Sequence, residues 1–570
     1  MSKYILGIHN GFESSVCLIK NGEILEAISE ERFNFIKVYA GKPKKALDYL
    51  FNKYNFLPKD IEFVIYSRVT FKNNWGVYVY KLIKRLIRSI IRNPLLISVF
   101  IRRIKTEFRD RVFRKEFLNW MESIGIKNNK IIFLDHHQAH AWSAYSCSPF
   151  NDAIVLTADG RGDLKSTTIS VADREKGVRE IDYLLTFDSL GFLYAQVTNY
   201  LGFKPHRHEG KVTGLAAFGN PEKTLPIFQK MVSWDIFSGQ WITNLNLYAP
   251  HKINNLNSFK KILNPFSKED IAAGVQKHCE NLIISYVKHW LKKLGKDSLQ
   301  NICLAGGLFA NVKINQCISE IEGIKNIFVF PNMGDGGLTV GGACYQNFIN
   351  NKKPKVDFPT VYLGNQYEED EILKILQLSK NKIIFKKMKN RPNEISEILE
   401  DGKVVGYFDG RMEFGPRSLG SRSILVNAKD KSINKSLNKR LERTEFMPFA
   451  PVTPENYAAE CYIDWNPEHI ASHFMTRTYK CQSTFIKKHP AVVHVDGTAR
   501  PQIIKREHNQ RYYDVIKTYC DRNNERALIN TSFNVHEQPI IISPDLAVRG
   551  LLQNRIDILI LSDYIIHRNQ

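Results

Sequence analysis

The chain has 570 residues, of which 43% are hydrophobic, so it can form two large domains, or three to four average ones, with substantial cores. Its 80 Lys and Arg residues outnumber 58 Asp and Glu residues, and the net charge of +22 indicates an anionic partner: phosphates, nucleic acid or a membrane surface. The 9 cysteines include no C-x-x-C pair, which argues against a disulfide framework and a structural zinc module and favours a reducing, cytoplasmic environment. No signal peptide is expected at Met1, and no apolar run approaches the roughly 18 residues that a membrane-spanning helix needs.

Three strands are predicted at the start of the chain, at residues 3–9, 14–20 and 23–29. Asn21-Gly22 is a strong signal for a hairpin turn between the last two strands. Apolar strands then alternate with glycine-rich loops and with helical stretches at 270–295 and 340–350. Asn351–Lys355 has the composition of a linker. The pattern predicts an α/β fold with one domain over residues 1–355 and a second over 368–570.

Residues 72–115 form a basic segment with 13 Lys and Arg residues against two acids, Glu107 and Asp110, and supply +11 of the net charge. An apolar helical stripe in this segment consists of Leu82, Ile83, Leu86, Ile87, Ile90 and Ile91. The interleaved basic residues are Lys81, Lys84, Arg85, Arg88 and Arg92, before Pro94 interrupts the pattern. Three interpretations stay open: an inserted helical hairpin that packs its stripe on the core, an interfacial helix on anionic lipid over 78–104, and a nucleic-acid patch. The last is the least favoured of the three.

Three short stretches together predict a metal and phosphate site: His136-His137-Gln138-Ala139-His140, Ala158-Asp159-Gly160 and Gly334-Asp335-Gly336-Gly337. His136 and His140 are four residues apart, a spacing that places both imidazoles on one face of a helix. Asp159 and Asp335 offer hard oxygen ligands beside glycines that let the backbone approach a phosphate. A set of two histidines and two aspartates leaves room for water or phosphate, so the metal is expected to organise a nucleotide.

Further glycine-rich loops add to this nucleotide hypothesis. Gly160 belongs to Asp159-Gly160-Arg161-Gly162, Gly306 and Gly307 follow Ala305, and Lys211 lies in Glu209-Gly210-Lys211. The chain lacks G-x-x-x-x-G-K-[ST], which excludes a P-loop by motif.

The second half contains arginines on loops that glycine and proline shape. Residues 410–420 read GRMEFGPRSLG and include Arg417, and Arg443 precedes the FMPFAP stretch. Residues 494–500 read HVDGTAR and end at Arg500, and residues 530–534 read NTSFN, with Asn530 and Ser532. Rigidly held arginines beside Asn and Ser donors suit a small phosphorylated anion.

These motifs, in this order, together with DHHQAHA at 135–141, resemble the carbamoyltransferases of the nodulation and tobramycin type over nearly the whole chain. The resemblance implies an actin-like, duplicated RNase H-like N-terminal domain and a YrdC-like C-terminal domain. It also implies an ATP-dependent reaction in which carbamoyl phosphate and ATP give carbamoyl-adenylate. The carbamoyl group then passes to a hydroxyl of a sugar or natural product.

The resemblance also implies roles for individual residues. The expected metal ligands are His136, His140, Asp159 and Asp335, with Fe²⁺ the favoured ion and Mg²⁺ a candidate companion of ATP. The expected nucleotide contacts are His137, Gly160, Lys211, Gly306, Gly307 and Asn311. The expected substrate contacts are Arg417, Arg443, Arg500, Asn530 and Ser532, and the catalytic candidates are Glu13, Lys37 and Arg417. We also expect the protein to form a homodimer. We expect it to be cytoplasmic and to contact the inner face of the membrane peripherally.

One departure from the family pattern bears on the transfer step. The first strand of the family commonly ends in a histidine pattern, whereas this chain has Asn10-Gly11-Phe12 followed by Glu13. Glu13 is therefore the substitute candidate for activating the acceptor. Two alternatives stay open, a tRNA-modification or RNA-binding protein related to threonylcarbamoyladenosine synthesis and a degenerate member without activity.

Overall fold

The computed structural model describes residues 4–68, 75–90, 101, 112–250, 256–295, 300–356, 358, 360–444 and 446–569. The strands are β1 (Tyr4–His9), β2 (Ser15–Lys20), β3 (Glu23–Ser29), β4 (Ile61–Tyr66), β5 (Ile131–Phe133), β6 (Ala153–Gly162), β7 (Lys165–Asp173), β8 (Gly177–Leu185), β9 (Val232–Asp235), β10 (Gln240–Thr243), β11 (Gln300–Ala305), β12 (Ile324–Val329), β13 (Ile383–Lys387), β14 (Val405–Phe408), β15 (Arg422–Asn427), β16 (Ala450–Pro454), β17 (Tyr479–Lys480), β18 (Thr498–Ala499), β19 (Gln502–Ile504), β20 (Leu528–Ser532), β21 (Ile558–Leu561) and β22 (Tyr564–Arg568).

The α-helices of the first part include Glu31–Asn34, Lys44–Tyr54, Trp75–Ile90, His136–Cys147, Leu190–Tyr200, Glu209–Ala216, Leu225–Met231, Asn257–Leu263, Lys268–Lys293, Val312–Ser319 and Leu338–Asn351, and residues 112–123 are also helical. Those of the second part are Glu369–Leu378, Arg391–Glu400, Ile433–Arg440, Glu455–Cys461, Ser483–Lys488, Gln510–Arg522 and Pro544–Leu552. The α/β class predicted from the sequence is confirmed.

Two five-stranded sheets in the first part repeat one topology. One sheet has the order β3-β2-β1-β4-β5 and the other β8-β7-β6-β11-β12. In each, three antiparallel strands are extended by two parallel ones, β4 and β5 in the first sheet and β11 and β12 in the second. The three N-terminal strands predicted from the sequence are confirmed, and Lys20 pairs with Glu23 across the predicted Asn21-Gly22 turn. The repeat means that β1 and β6 are equivalent central strands.

Two helices, His136–Cys147 and Leu338–Asn351, lie in the core that joins these sheets. Ala139 and Val340 belong to the same buried cluster as Ile5 of β1 and Val155 of β6. The helices approach closely at Gly341, where a Cβ atom would lie 1.7 Å from the Ala139 carbonyl oxygen. Only glycine fits at this contact, because overlap with a rigid helix backbone cannot be relieved by a rotamer change.

We therefore expect Gly341→Ala to lower the free energy of unfolding by about 1–3 kcal/mol, the usual cost of overpacking. Denaturant unfolding followed by circular dichroism measures the change. Gly210→Ala is the matched control, because a Cβ atom at helical Gly210 would meet nothing within 4 Å. Equal stability of the two variants would contradict the tight contact.

The second part is built on an eight-stranded sheet with the order β13-β22-β21-β14-β15-β20-β16-β19. Strands β15 and β20 pair antiparallel, and β16 pairs with both β20 and β19. The NTSFN stretch therefore begins within a central strand, and the segment after Arg500 joins the sheet edge as β19. The YrdC-like assignment and the domain limits stay predictions.

Asn351–Lys355 was predicted as a linker, but Lys355 makes specific contacts with the first part of the chain. Its ammonium donates to the Ser148 carbonyl at 3.1 Å and lies 3.4 Å from the Tyr145 ring centroid. Burial lowers the pKa of Lys355 to about 8. The residue therefore holds the end of this segment against the helix His136–Cys147.

The basic segment contains the helix Trp75–Ile90, which does not dock through its apolar stripe as the hairpin interpretation expects. Lys81 contacts β8, Arg85 contacts Asp188 and the Thr243 carbonyl on β10, and Ile83 and Ile87 of the apolar stripe are exposed. Ile91, Arg92, Pro94 and nearly all of the following apolar and basic segment lie outside the described residues. None of the helices that the structure describes is long and apolar enough to cross a bilayer.

Candidate metal and substrate sites

The four predicted metal ligands converge in the first part of the chain. Candidate ligand atoms of His136, His140, Asp159 and Asp335 all lie within 4.8 Å of one another. The Asp135 side chain caps the ligand helix by accepting from the Gln138 amide at 3.0 Å, so the two histidines sit one turn apart. Asp159 lies on β6, and Asp335 lies just before the helix Leu338–Asn351. Both sheets and both core helices thus position the cluster.

The imidazole nitrogens and carboxylates face each other across short gaps. His136 Nε2 lies 3.3 Å from Asp159 Oδ2 and 3.5 Å from Asp335 Oδ1. His140 Nε2 lies 3.5 Å and 3.7 Å from the same two oxygens. Burial alone would lower the pKa of His136, but the two carboxylates outweigh it and raise the pKa to about 9. Burial opposes ionisation of Asp159, yet its bonds to the histidines hold its pKa well below the usual range.

The donor set fits a divalent transition metal. His140 is fully buried, and neither of its ring nitrogens has a hydrogen-bond partner among the described residues. Burying an imidazole without a hydrogen-bond partner costs free energy, unless a bound ligand such as a metal ion takes the place of that partner. Two imidazole nitrogens with two carboxylate oxygens suit Fe²⁺ or Zn²⁺ better than Mg²⁺, which prefers an all-oxygen shell. This fit supports the predicted metal site and leaves the identity of the ion as a proposal.

His9, at the end of β1, is a fifth polar group of the site that the sequence reasoning missed. Its Nε2 lies 3.6 Å from Asp335 Oδ2, the oxygen turned away from His136 and His140. The ring is buried, and neither nitrogen has a hydrogen-bond partner in the described part of the chain. Phe12, which stands where the resemblance expects a histidine, is exposed. His9 is therefore placed to orient the Asp335 carboxylate.

We expect His9→Ala to weaken divalent metal binding by about 10- to 100-fold, the usual effect of removing a group that orients a ligand. A competition titration with a chromophoric chelator, using Zn²⁺ as the probe, measures the affinity without any assay of activity. His9→Gln retains a hydrogen-bond donor and should recover part of the loss. Unchanged affinity in His9→Ala would show that Asp335 is held without His9.

Two of the catalytic candidates, Glu13 and Lys37, lie on neighbouring segments. The Gly336 amide donates to Glu13 Oε2 at 3.2 Å, which places the carboxyl beside the Asp335 loop. Burial, reinforced by Asp335, raises the pKa of Glu13 to about 7. Ser14 donates through its amide to the Tyr39 carbonyl at 3.0 Å, so the segment that contains Lys37 runs alongside Glu13. The Lys37 carbonyl accepts from Arg207.

Of the nucleotide candidates, three glycines surround the metal cluster. The Gly160 amide donates to Asp159 Oδ1 at 2.6 Å, and a Cβ atom at Gly307 would lie 3.1 Å from the same oxygen. Gly306 has a φ of 103°, and a Cβ atom there would lie 2.3 Å from the Ala158 carbonyl oxygen, so glycine is required. The glycine loops therefore meet at Ala158 and Asp159, and their contact with a nucleotide stays a prediction.

The other nucleotide candidates already have protein partners. His137 Nδ1 and Thr157 Oγ1 are 2.7 Å apart in the core, and burial lowers the pKa of His137 to about 3. Asn311 caps the helix Val312–Ser319 and donates to Gln276 at 2.7 Å. Lys211 donates to Thr444 Oγ1 at 2.8 Å, across the contact between the first and second parts of the chain. Their contact with a nucleotide stays a prediction.

The motifs of the second part meet around Arg443. Its guanidinium donates to Thr531 Oγ1 at 2.7 Å, to Ser532 Oγ at 2.9 Å and to Asn534 Oδ1 at 2.7 Å. It also lies 5.9 Å from the ring centroid of Phe449, within the FMPFAP stretch. Sequence segments almost 90 residues apart thus form one polar cluster with a guanidinium at its centre.

Asn530 links this cluster to the two remaining motifs. Its amide donates to the Ser418 carbonyl at 3.2 Å and to Gln502 Oε1 at 2.7 Å. Ser418 follows Arg417, and Gln502 lies two residues after Arg500, so both half-buried arginines lie on segments that Asn530 ties together. The structure therefore brings the segments of all five substrate candidates into one region.

The loop that carries Arg417 is held from within by groups that the sequence reasoning did not single out. Glu413 Oε1 accepts from the amides of Leu419 and Ser421, each at 2.7 Å. The fully buried Arg422 donates to the carbonyls of Asp409 and Gly410, and burial lowers its pKa to about 10. These bonds fix the backbone on either side of the loop, which is the rigidity that anion recognition needs.

Comparison with known proteins identifies the family. Residues 4–344 match the family described as Carbamoyltransferase N-terminus, and residues 396–568 match the one described as Carbamoyltransferase C-terminus. The chain belongs to the carbamoyltransferase family. An uncharacterised protein of Methanocaldococcus jannaschii is similar to this carbamoyltransferase, with 32% identity over 99% of this chain and 99% of its own length. The nodulation protein NolNO of Sinorhizobium fredii is 28% identical over 98% of this chain and 79% of its own length.

Solved structures with similarity to this carbamoyltransferase include component A of (R)-2-hydroxyglutaryl-CoA dehydratase from Acidaminococcus fermentans. It is 15% identical, with a TM-score of 0.33, and covers 60% of this chain and 96% of its own. HypF in its phosphate- and nucleotide-bound form is 14% identical, with a TM-score of 0.31, and covers 61% of this chain and 46% of its own. Family membership rests on the sequence matches, which make the protein a transferase of carbamoyl groups.

Proposed function

We propose that this carbamoyltransferase is an ATP-dependent O-carbamoyltransferase acting on a hydroxyl of a sugar or natural product. The proposal is supported by the presence of two separate polar sites in one chain. One is the metal-ligand cluster of His136, His140, Asp159 and Asp335 beside glycine loops, and the other is the cluster around Arg443. Two sites suit a reaction in two steps, in which an activated intermediate is made at one and used at the other.

The first step is assigned to the second part of the chain. Carbamoyl phosphate and water give carbamate and phosphate, and a carbamate oxygen then attacks the α-phosphorus of ATP and displaces pyrophosphate. Arg417, Arg443 and Arg500 would hold the anions, with Asn530 and Ser532 as fixed hydrogen-bond partners. Preorganised guanidinium groups stabilise negative charge that moves between phosphates without reorganising during the reaction.

The second step is assigned to the first part of the chain. The acceptor oxygen attacks the carbonyl carbon of carbamoyl-adenylate, the bond from that carbon to the phosphate oxygen breaks, and AMP leaves with the electron pair. Glu13, beside the Asp335 loop, is the group placed to take the hydroxyl proton. A divalent ion held by the His136 cluster would supply charge stabilisation at the leaving phosphate. Gly160, Gly306 and Gly307 lie beside Ala158 and Asp159, and the adenylate would bind along these loops.

Mass spectrometry of products tests both steps. Full-length protein incubated with ATP, carbamoyl phosphate and Fe²⁺ or Zn²⁺ should form pyrophosphate and carbamoyl-adenylate. A screen of saccharides and small alcohols should then yield an acceptor that gains one carbamoyl group as AMP appears. If carbamoyl phosphate reacts with an acceptor without ATP, the adenylate mechanism is wrong.

A further inference from the structure

The helix Trp75–Ile90 is fixed to the protein through its basic residues. Lys81 pairs with Asp182 and donates to the Tyr183 carbonyl at 2.9 Å. Arg85 donates to Asp188 Oδ1 at 2.9 Å and to the Thr243 carbonyl at 2.6 Å. Leu82, between these cations, packs against a small buried cluster that includes Tyr183. The docked face is therefore defined by positions 81, 82 and 85.

The opposite face of this helix is apolar and open to solvent. Tyr80 is 64% exposed, and Ile83, Lys84 and Ile87 are exposed as well. At 3.6 residues per turn these four positions share one side of the helix, almost opposite the docked side. An isolated exposed isoleucine is ordinary, but an aromatic and two isoleucines on one helical face with a lysine form a patch.

A second exposed apolar feature lies in the turn between β9 and β10. Ile236 is 75% exposed, and Phe237 is 96% exposed. Asp235 shapes this turn, because it accepts from the Phe237 amide at 3.2 Å, from Ser238 Oγ at 2.8 Å and, through its carbonyl, from the Gly239 amide at 2.9 Å. The protein thus builds an ordered turn that presents two large apolar side chains to solvent.

The helix and the turn are attached to each other through shared carboxylates. Asp182 pairs with Lys81 through Oδ1 and accepts from Gln240 Nε2 at 2.7 Å through Oδ2. Asp188 accepts from Arg85 and also, through Oδ1, from the Thr243 amide at 2.8 Å. Gln240 and Thr243 are the two ends of β10, so this strand lies along the docked side of the helix.

We propose that the outward face of the helix, with Tyr80, Ile83, Lys84 and Ile87, and the Ile236-Phe237 turn together bind the surface of an anionic lipid bilayer. Exposed aromatic and aliphatic side chains beside cations match the boundary between headgroups and acyl chains. Besides Lys81 and Arg85, which pair with carboxylates of the protein, the sequence of 72–115 contains 11 Lys and Arg residues against two acids, an excess that complements anionic headgroups. An aliphatic and aromatic pair beside cations suits a lipid interface, and RNA binding is the outcome that the experiment below sets against it. The proposal is independent of the reaction, since binding needs no substrate.

Vesicle co-sedimentation of the full-length protein tests this proposal. The probes are phosphatidylcholine vesicles with and without phosphatidylglycerol, at low and high salt. We expect binding to the anionic vesicles, weaker binding at high salt, and little binding to phosphatidylcholine alone. Phe237→Ser and Ile83→Ser should each weaken binding by about tenfold, because each removes a large apolar side chain from the lipid contact.

Leu378→Ser is the matched control, because Leu378 is 80% exposed at the end of a helix in the second part of the chain. This variant should bind vesicles like the unaltered protein, and thermal unfolding verifies that all variants are folded. In Phe237→Trp, tryptophan emission should shift to the blue on addition of anionic vesicles. Unchanged binding in both serine variants, or salt-sensitive binding of RNA with none to vesicles, would overturn the proposal.

Discussion

Arg443→Lys should lower kcat/KM for carbamoyl phosphate in adenylate formation by about 100-fold. The guanidinium of Arg443 reaches Thr531, Ser532 and Asn534 at the same time, and a lysine ammonium cannot reproduce that planar fork. One or two lost hydrogen bonds of a charged group are worth about 3 kcal/mol, which corresponds to about 100-fold. Pyrophosphate release with ATP at saturation measures the loss.

The control variant for this experiment is Arg506→Lys, because Arg506 is a surface arginine of the same part of the chain that pairs with Asp514. It should retain full adenylate formation. Transfer from supplied carbamoyl-adenylate should be normal in Arg443→Lys, since that step is assigned to the other site. A loss of transfer equal to the loss of adenylate formation would place both steps at Arg443 and contradict the division into two sites.

The metal-ligand cluster was accessible from the sequence because its signals are local. A spacing of four residues on a helix places His136 and His140 together whatever the rest of the fold does. Glycines beside Asp159 and Asp335 mark turns where a carboxylate stands at the edge of a strand or a helix. No local sequence signal identifies His9 as a site residue. It ends a buried strand, and it reaches the site only because β1 packs against the distant loop of Asp335.

The basic helix shows the limit of reasoning from amphipathic pattern. The pattern groups residues by face, and one of its open interpretations buried the stripe that includes Ile83 and Ile87. The structure docks the helix through the half-buried Lys81 and Arg85 instead, because Asp182 and Asp188, about 100 residues later in the chain, offer them carboxylates. The periodicity of apolar residues defines the faces of a helix. Which face docks depends on the surface that the helix packs against, and residues far away in the sequence form that surface.

The cluster around Arg443 was predictable from the sequence only in part. The arginine, Asn and Ser candidates were recognisable because glycine and proline marked their loops as rigid. No single segment predicts how they assemble, since Asn530 on β20 bonds to Ser418 in the loop before β15 and to Gln502 on β19. Glu413 and Arg422 were overlooked for the same reason. Their function is to bond to backbone groups of a loop, and a sequence pattern does not show where a backbone turns back on itself.

His140→Ala should abolish carbamoyl transfer while adenylate formation continues. His140 is fully buried, and neither ring nitrogen has a hydrogen-bond partner in the part of the chain that the structure describes, so its removal takes one of four donors from the metal cluster. Metal affinity should fall by at least about 100-fold, more than for a residue that only orients a ligand. The expected products from ATP and carbamoyl phosphate are pyrophosphate and carbamoyl-adenylate, with no carbamoylated acceptor. Chelator competition measures the affinity, and mass spectrometry measures the products.

Two further variants separate loss of metal from loss of fold. Asp335→Asn keeps the shape of the side chain but removes a charged ligand, so it should reproduce the block in transfer without a cavity in the core. His567→Ala removes an exposed imidazole on β22 and should leave metal affinity and transfer unchanged. If Asp335→Asn transfers carbamoyl groups at the normal rate, the cluster has no part in the second step. If instead adenylate formation fails together with transfer, both steps depend on the first part of the chain and the two-site assignment is wrong.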